Sequence, residues 1–235
     1  MIVLQASIGA LNDVVDAVDD ATGKPSKPIP GGAVDRRLAV AVAVLGLVAG
    51  LALASPSGPL AVALAIIGVA CGYAYDLWLK RTVLSWLPLA VALPIVPAFA
   101  WTGVGTPLPA AFPLLVPLAL AAGGALALSN AIAGLQADRA TGLSTVVGRL
   151  GRERAWAIHG ALLLAVTGGA TATVAGLGGR GPWLAGVVAS SALILGAALV
   201  ARRARSRRLE LAWELEAVGV AGLGVVFLAA LAAAG

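Results

Sequence analysis

The sequence predicts an all-α, polytopic transmembrane helical bundle. Of its 235 residues, 60% are hydrophobic and 11% are charged, whereas soluble domains have about 45 to 50% apolar and about 25% charged residues. Only 5% of the residues are aromatic, and the apolar residues are mostly small or aliphatic, which favours helices over a membrane β-barrel with aromatic girdles. The composition therefore excludes a soluble domain.

Seven apolar runs are long enough to cross about 30 Å of hydrocarbon at about 1.5 Å per residue. They cover residues 38–55, 59–79, 85–101, 110–135, 155–178, 183–200 and 213–234. An eighth apolar piece, residues 1–10, is too short to span a bilayer. It lacks the basic start and the cleavage site of a signal peptide, so we interpret it as the end of a helix that begins further upstream.

The charged residues predict the orientation of these spans. When loops alternate between the two sides, Arg180 falls on one side and the other fifteen of the sixteen basic residues fall on the opposite side. The positive-inside rule assigns that basic side to the cytoplasm. All eleven acidic residues also fall there, at helix ends, which suggests a polar site open to the cytoplasm, although a solvated loop would also hold some of them. The net charge of +5 is then explained by topology, so we expect a lipid bilayer and no nucleic acid as partner.

Three aspartates near the start predict a metal site. Asp13, Asp16 and Asp20 are spaced so that they share one helix face, and like charges on one face are destabilising unless a cation lies among them. Carboxylate oxygens suit Mg²⁺, which also takes water and phosphate oxygens. The alternative is an acidic cap without a ligand. With one cysteine and one histidine, the chain has no intramolecular disulfide and no Cys/His metal site.

The next segment, residues 22–32, contains three prolines and three glycines, which predict a shaped loop. The loop brings Lys24 and Lys27 beside the aspartates. A magnesium site with adjacent lysines is what a diphosphate group needs, because metal and lysines neutralise different oxygens. The alternative is that both lysines only set the topology.

Two further segments carry polar side chains at helix ends. Tyr73 or Tyr75 could donate a hydrogen bond to a phosphate while Lys80 and Arg81 supply charge; the alternative is an interfacial aromatic belt. The second segment has Asn130, Gly134 and Asp138 on one face of a helix, followed by Arg139. We expect Asn130 to be interior, because a polar side chain inside an apolar helix needs a partner. A solvated helix end is the alternative for Asp138 and Arg139.

With these four segments in order, the chain resembles the UbiA superfamily of intramembrane prenyltransferases. The family carries an NDxxDxxxD motif and a loop of the RPxPxG kind, matched here by Asn12, Asp13, Asp16 and Asp20 and by residues 27–31. The family's YxxxKR segment is echoed by Tyr75, Lys80 and Arg81 with one extra residue of separation. The second aspartate motif, DxxxD, corresponds to residues 134–138, with Gly134 in place of its first aspartate.

The resemblance implies a Mg²⁺-dependent enzyme that moves an isoprenoid chain from a prenyl diphosphate to a lipophilic acceptor, which we expect to be aromatic. It implies that Mg²⁺ is held by four carboxylates, and that Tyr75, Lys80 and Arg81 act in catalysis. The implied metal ligands are Asp13, Asp16, Asp20 and Asp138, and the implied diphosphate contacts are Asn12, Lys24, Lys27, Lys80, Arg81, Asn130 and Arg139.

The family fold has nine transmembrane helices, with the first aspartate motif after the second helix. The seven complete spans therefore imply one transmembrane domain over residues 1–235 that lacks the first helix and most of the second. Two alternatives remain open. The chain could be a truncated or degenerate homologue without activity, as Gly134 suggests, or a small cation transporter, although no ionisable groups are predicted at mid-membrane depth.

Overall fold

The computed structural model describes residues 1–140, 145–178, 181–203 and 207–234, with side chains 136–140 and 207 left undescribed. Within that part of the chain all regular secondary structure is helical, so the all-α class is confirmed. The α-helices are α1 (Ile2–Gly23), α2 (Arg36–Ala54), α3 (Pro59–Leu77), α4 (Leu87–Gly103), α5 (Leu115–Ala140), α6 (Val146–Leu150), α7 (Arg152–Gly176), α8 (Pro182–Arg203) and α9 (Arg207–Ala234).

Local residue chemistry sets several of these helix boundaries. Asp35 caps α2, because its carboxylate accepts a hydrogen bond from the Arg37 backbone N–H at 2.7 Å. Helix α3 begins at Pro59, whose missing N–H costs nothing in the first turn. The preceding residue, Gly58, has a φ of +93°, a conformation that favours glycine.

Among the described residues, six helical segments are long and apolar enough to cross a membrane: Arg36–Ser57, Pro59–Leu77, Phe112–Leu135, Arg152–Gly176, Pro182–Arg203 and Arg208–Ala234. They correspond to six of the seven predicted spans. The remaining prediction, residues 85–101, corresponds to α4, which has 17 residues and contains Pro94 and Pro97. At about 1.5 Å per residue α4 is about 25 Å long, shorter than the hydrocarbon core of about 30 Å.

The outward faces of the spans are apolar. Leu45 and Leu53 of α2, Leu199 of α8 and Val225 of α9 are each at least 65% exposed. In water such faces would be unfavourable, whereas in a bilayer they contact lipid chains. The apolar segment Phe112–Leu135 is the most buried span, with 56% of its most apolar stretch inside the protein.

The described residues fall into two compact units, and each is considered alone. The first comprises residues 1–79 and 98–106. In it α1 packs against α2 and α3, with a core of Leu4, Ala54, Ala65 and Val69. Gly46 and Gly50 lie one turn apart on α2 where α1 approaches closely, because an added Cβ would contact Ser7 or Leu4. The polar residues of α1 are therefore held against two neighbouring helices.

The second unit comprises residues 80–97 and 107–235. Helix α5 packs against α7 and α9, and α8 packs along α9. The indole N–H of Trp213 donates to the Leu126 carbonyl at 3.1 Å, which joins α9 to α5. The single domain over residues 1–235 stays a prediction.

A buried ionisable pair lies in the second unit. Glu216 is one of the eleven acidic residues that the sequence analysis places at helix ends on the basic side. Its side chain is fully buried in α9, with Oε2 at 3.1 Å from Nε2 of the equally buried His159 in α7. Glu216 is four residues from both Ala212 and Val220, so it lies on the face of α9 that packs inward.

Candidate functional site

The aspartate-rich segment is part of a continuous helix, α1, as its spacing predicts. Asp13 and Asp20 are seven residues apart, which is about two helical turns, and both carboxylates contact the ammonium group of Lys27. The Lys27 ammonium nitrogen lies 3.2 Å from Oδ1 of Asp13 and 2.8 Å from Oδ2 of Asp20. The Asp20 side chain is 12% exposed and that of Asp13 is 29% exposed. The first predicted metal ligands thus form a pair around one positive charge.

The pKa of Lys27 reflects this position. Partial burial lowers the pKa, but hydrogen bonds and Coulombic attraction from Asp20 and Asp13 outweigh that effect and raise the pKa above its usual value. Lys27 is therefore a permanent cation at neutral pH. Its side chain remains 27% exposed, so the ion pairs are partly screened by solvent.

The loop that carries Lys27 is folded by its own backbone, as its prolines and glycines predict. Gly31 N–H donates to the Lys27 carbonyl at 2.8 Å, and the N–H groups of Ala33 and Val34 both donate to the Pro28 carbonyl. A Cβ on Gly31 would lie 3.0 Å from the Lys27 carbonyl oxygen, and Gly32 has a φ of +73°. These contacts fix the backbone from which Lys27 reaches the aspartates.

Asn12 joins two more carboxylates. Its Nδ2 donates to Oδ2 of Asp16 at 3.1 Å, one turn further along α1, and to Oδ1 of Asp76 at 2.9 Å, in the last turn of α3. Asp76 is 2% exposed. One amide group therefore connects the aspartate motif of α1 to a buried carboxylate on a neighbouring helix.

A second polar contact joins α1 to the same helices. Ser7 is fully buried, and its hydroxyl donates to the Ala43 carbonyl of α2 at 2.6 Å. The Tyr73 hydroxyl of α3 lies 2.7 Å from the Ser7 hydroxyl. Of the two candidate tyrosines, Tyr73 is thus used inside the helix bundle, which leaves Tyr75 as the candidate for the phosphate.

The three aspartates of α1 are not gathered into one metal cage. Among the described residues there is no group of three or more His, Cys, Asp or Glu side chains that could hold a metal. Asp13 and Asp20 instead share Lys27, while Asp16 contacts Asn12. The donor set still fits Mg²⁺, because two carboxylates close enough to share one ammonium can share another cation, and Mg²⁺ takes its remaining ligands from water and phosphate.

The other predicted phosphate contacts lie at ends of helices. Lys24 is exposed and directly follows α1, where its backbone N–H donates to the Asp20 carbonyl at 2.7 Å. Tyr75 is half-buried in the last turn of α3. In the second unit Lys80 and Arg81 lie in a short 3-10 helix, Leu79–Arg81, with Lys80 half-buried and Arg81 exposed. Their roles toward a phosphate remain predictions.

Asn130 is exposed, so the interior position expected for it stays a prediction. Leu128 and Ile132 belong to the core that α5 forms with α7, α8 and α9. Asn130 is two residues from each of them, which places it about 160° around the helix from that core face. Gly134 is half-buried in α5. The side chains of Asp138 and Arg139 lie outside the described residues, so their roles also remain predictions.

The sequence profile of the UbiA prenyltransferase family matches residues 1–218 of the chain. The chain belongs to the UbiA prenyltransferase family. The match includes the aspartate motif, the proline loop and the second motif from which the resemblance was inferred, and the inferred family is confirmed.

A curated UbiA-family relative is Digeranylgeranylglyceryl phosphate synthase from Korarchaeum cryptofilum (strain OPF8). It is 30% identical over 148 residues, which are 62% of this chain and 52% of the relative. The chain thus spans about half the length of the curated relative that it matches.

Solved UbiA homologues share the fold. An apo structure from Aeropyrum pernix K1 has a TM-score of 0.77 at 20% identity, over 96% of this chain and 84% of that one. A structure from Archaeoglobus fulgidus, bound to GPP and Mg²⁺, has a TM-score of 0.65 at 18% identity, over 96% of this chain and 87% of that one. The UbiA-like fold inferred from the sequence is confirmed.

Two polar residues near the UbiA motifs were not predicted as site residues. Asp76 lies next to Tyr75, and Ser7 lies in the apolar start of α1. A carboxylate inside an apolar helix is costly unless it has partners, so Asp76 carried a signal in the sequence. Ser7 carried none, because a single serine is common in membrane helices.

Proposed function

We propose that the chain is a membrane prenyltransferase, which moves an isoprenoid chain from a prenyl diphosphate to a lipophilic acceptor and depends on Mg²⁺. The observation that carries this proposal is the pair of aspartates, Asp13 and Asp20, around the Lys27 ammonium on a helix of a UbiA-family chain. A structure of an Archaeoglobus fulgidus homologue bound to GPP and Mg²⁺ supports both the substrate class and the metal.

Asp13 and Asp20 would hold the metal, and Asp16, which lies about one turn from each of them on the same helix, would be a third ligand. When bound, Mg²⁺ supplies Lewis-acid stabilisation of the negative charge that develops on the leaving diphosphate. Lys27 would then turn its ammonium from the aspartates to the diphosphate oxygens, with Lys24 next to it in the chain. Both lysines stay on the loop whose backbone the Gly31 and Pro28 contacts hold.

In the reaction the bond between the allylic carbon and the diphosphate oxygen breaks, and its electron pair leaves with the diphosphate. The allylic carbon then forms a bond to the acceptor, which loses a proton. An allylic cation reacts with water, so the reacting carbon must be kept dry. The apolar outer faces of the helices, such as that of α2 with Leu45 and Leu53, contact lipid chains. A long prenyl tail is soluble in the same apolar surroundings.

The acceptor class has two candidates. An aromatic acceptor is the one expected from the family resemblance. The curated relative is named for a glyceryl phosphate product, which favours a glyceryl phosphate acceptor. We therefore propose a lipophilic acceptor and assay both chemistries. We also propose that the aspartates face the cytoplasm, because the positive-inside rule places the loop with Lys24, Lys27, Arg36 and Arg37 there.

The first experiment measures Mg²⁺-dependent binding of a non-hydrolysable prenyl diphosphate to the detergent-purified chain. The test variant is Asp13→Asn, and the matched control is Asp19→Asn, which changes an exposed aspartate of the same helix. We expect binding to the unmodified chain and to Asp19→Asn and a loss of binding in Asp13→Asn. Turnover is then measured with an aromatic and a glyceryl phosphate acceptor.

Binding that does not depend on Mg²⁺, or that Asp13→Asn retains, would contradict the proposal. Binding without turnover of either acceptor would identify a degenerate homologue that keeps the diphosphate site. Absence of binding, in a chain that purifies folded, would leave the non-catalytic alternative.

A further inference from the structure

Asp76 is a buried carboxylate in a helix that is otherwise nearly free of charge. It lies in the last turn of α3 and is 2% exposed. Removing a carboxylate from water is unfavourable unless hydrogen bonds compensate it. One such bond comes from Asn12 of α1, whose Nδ2 lies 2.9 Å from Oδ1 of Asp76.

The same amide group of Asn12 also donates to Asp16. An amide NH₂ has two hydrogens in one plane, and here one reaches Oδ1 of Asp76 and the other reaches Oδ2 of Asp16 at 3.1 Å. Because the plane of the amide is fixed by its two acceptors, the position of Asp76 determines where Asn12 holds Asp16. The hydrogen bonds to carboxylates are charge-assisted and stronger than neutral ones.

The contact lies within a fixed register of α1 on α3. Five residues before Asn12, the Ser7 hydroxyl is 2.7 Å from the hydroxyl of Tyr73, which lies three residues before Asp76. Two polar contacts along the same pair of helices prevent one helix from sliding along the other. The Ser7 contact and the Asp76 contact therefore share a packing role, but only the Asp76 contact reaches the aspartate motif.

We infer that Asp76 is a positioning residue, which orients the Asp16 carboxylate through Asn12; this role rests on the proposed function. Groups that orient metal-binding carboxylates change metal affinity without touching the metal. The competing interpretation is that Asp76 only holds α3 against α1. The two interpretations differ in whether metal affinity or only stability responds to its substitution.

The test uses three single substitutions in the full chain. Asp76→Leu removes the acceptor, whereas Asp76→Asn keeps an acceptor oxygen for Asn12 and removes the charge. Ser7→Ala is the matched control, because it breaks the other polar contact between α1 and α3 and leaves Asn12 untouched. Asp76→Ser replaces Asp76→Leu if the latter does not purify folded.

The readout is Mn²⁺ affinity of the detergent-purified chain with inorganic diphosphate present, measured from the loss of the free Mn²⁺ electron paramagnetic resonance signal. Thermal unfolding is measured in parallel. We expect Asp76→Leu to weaken Mn²⁺ binding by about 10-fold or more, the range typical of groups that orient metal ligands. We expect Asp76→Asn to stay within about threefold of the unmodified chain, and Ser7→Ala to lower thermal stability with unchanged Mn²⁺ affinity.

Unchanged Mn²⁺ affinity in Asp76→Leu overturns the positioning role, as does an equal loss in Ser7→Ala. An equal loss in Asp76→Asn and Asp76→Leu overturns the hydrogen-bond route through Asn12, since the charge would then be what matters. If the unmodified chain binds no Mn²⁺, the proposed function itself fails, which is distinguishable from a failure at Asp76 alone.

Discussion

The Lys27 ammonium lies 2.8 Å from Oδ2 of Asp20, one of the two carboxylates proposed to hold Mg²⁺. It also lies 3.2 Å from Oδ1 of Asp13. Lys27 therefore pairs with both aspartates at once. In the proposed site, metal and lysine would compete for the same two carboxylates.

Substituting Lys27 should therefore separate metal binding from diphosphate binding. We expect Lys27→Met to tighten Mn²⁺ binding in the absence of diphosphate. Two partly exposed ion pairs are worth roughly 0.2 to 1 kcal/mol each, so their removal predicts a gain of about 2- to 30-fold. Prenyl diphosphate binding should weaken, because a cation for its oxygens is lost.

Lys27→Arg is the matched control, because it keeps the competing charge and should leave Mn²⁺ affinity near that of the unmodified chain. Both affinities are measured by titration of the purified chain. Weaker Mn²⁺ binding in Lys27→Met would show that Lys27 organises the aspartates and does not compete for them.

Gly134 stands where the family's second motif has an aspartate, which predicts a gain of function. We expect Gly134→Asp to tighten Mg²⁺-dependent prenyl diphosphate binding by about tenfold, the change that corresponds to about 1.4 kcal/mol. Gly134→Asn has the same size without the charge and should not tighten binding. If both variants bind more weakly, then Gly134 is needed for close packing of α5, and the match to the second motif is misplaced.

The buried pair of His159 and Glu216 predicts non-additive effects on stability. Removing one partner leaves an uncompensated polar group, so Glu216→Leu should lower the free energy of unfolding by about 3 kcal/mol. Replacing both, as His159→Leu/Glu216→Met, should stay within about 1 kcal/mol of the unmodified chain, because two apolar side chains need no partner.

Stability is measured by unfolding in mixed detergent micelles containing sodium dodecyl sulfate. The control is Glu214→Gln, an exposed glutamate of the same helix, which should change stability by no more than about 0.5 kcal/mol. A double variant that is as unstable as Glu216→Leu would contradict this expectation. It would show that the His159–Glu216 pair stabilises the fold beyond each residue satisfying the other's polar group.

Two adjacent glycines of α5 predict opposite responses to alanine. A Cβ on Gly123 would lie 2.6 Å from the Ala90 Cα and from the Leu89 carbonyl oxygen, both backbone atoms that cannot rotate away. Gly123→Ala should therefore destabilise the protein by about 1 to 3 kcal/mol. A Cβ on Gly124 would meet its nearest neighbour, Leu162 Cδ1, at 3.7 Å. Gly124→Ala should be neutral or stabilising, because alanine favours a helix. Thermal unfolding in detergent compares the two, and equal behaviour would refute the close approach of α4 and α5.

Hydropathy and residue spacing by themselves determined much of the architecture of this protein. Seven apolar runs were predicted as spans, and six of them correspond to described segments of membrane-spanning length, because burial in lipid depends on composition over about 20 residues. The helix through Asp13, Asp16 and Asp20 and the folded proline loop followed from local backbone preferences. The spacing of the aspartates and the proline loop also identified the family.

Tertiary structure alone decided the contacts of the site. The position of Lys27 between Asp13 and Asp20 depends on the path of the loop that carries the lysine. Asn12 contacts Asp76, 64 residues away in the sequence, because α1 packs on α3. Burial of Glu216 and exposure of Asn130 depend on which face of α9 or α5 meets its neighbours. The physical reason is that helix propensity and hydropathy are sums over neighbouring residues of the chain. A hydrogen bond or ion pair instead requires that helix packing bring two side chains within a narrow range of distance and angle.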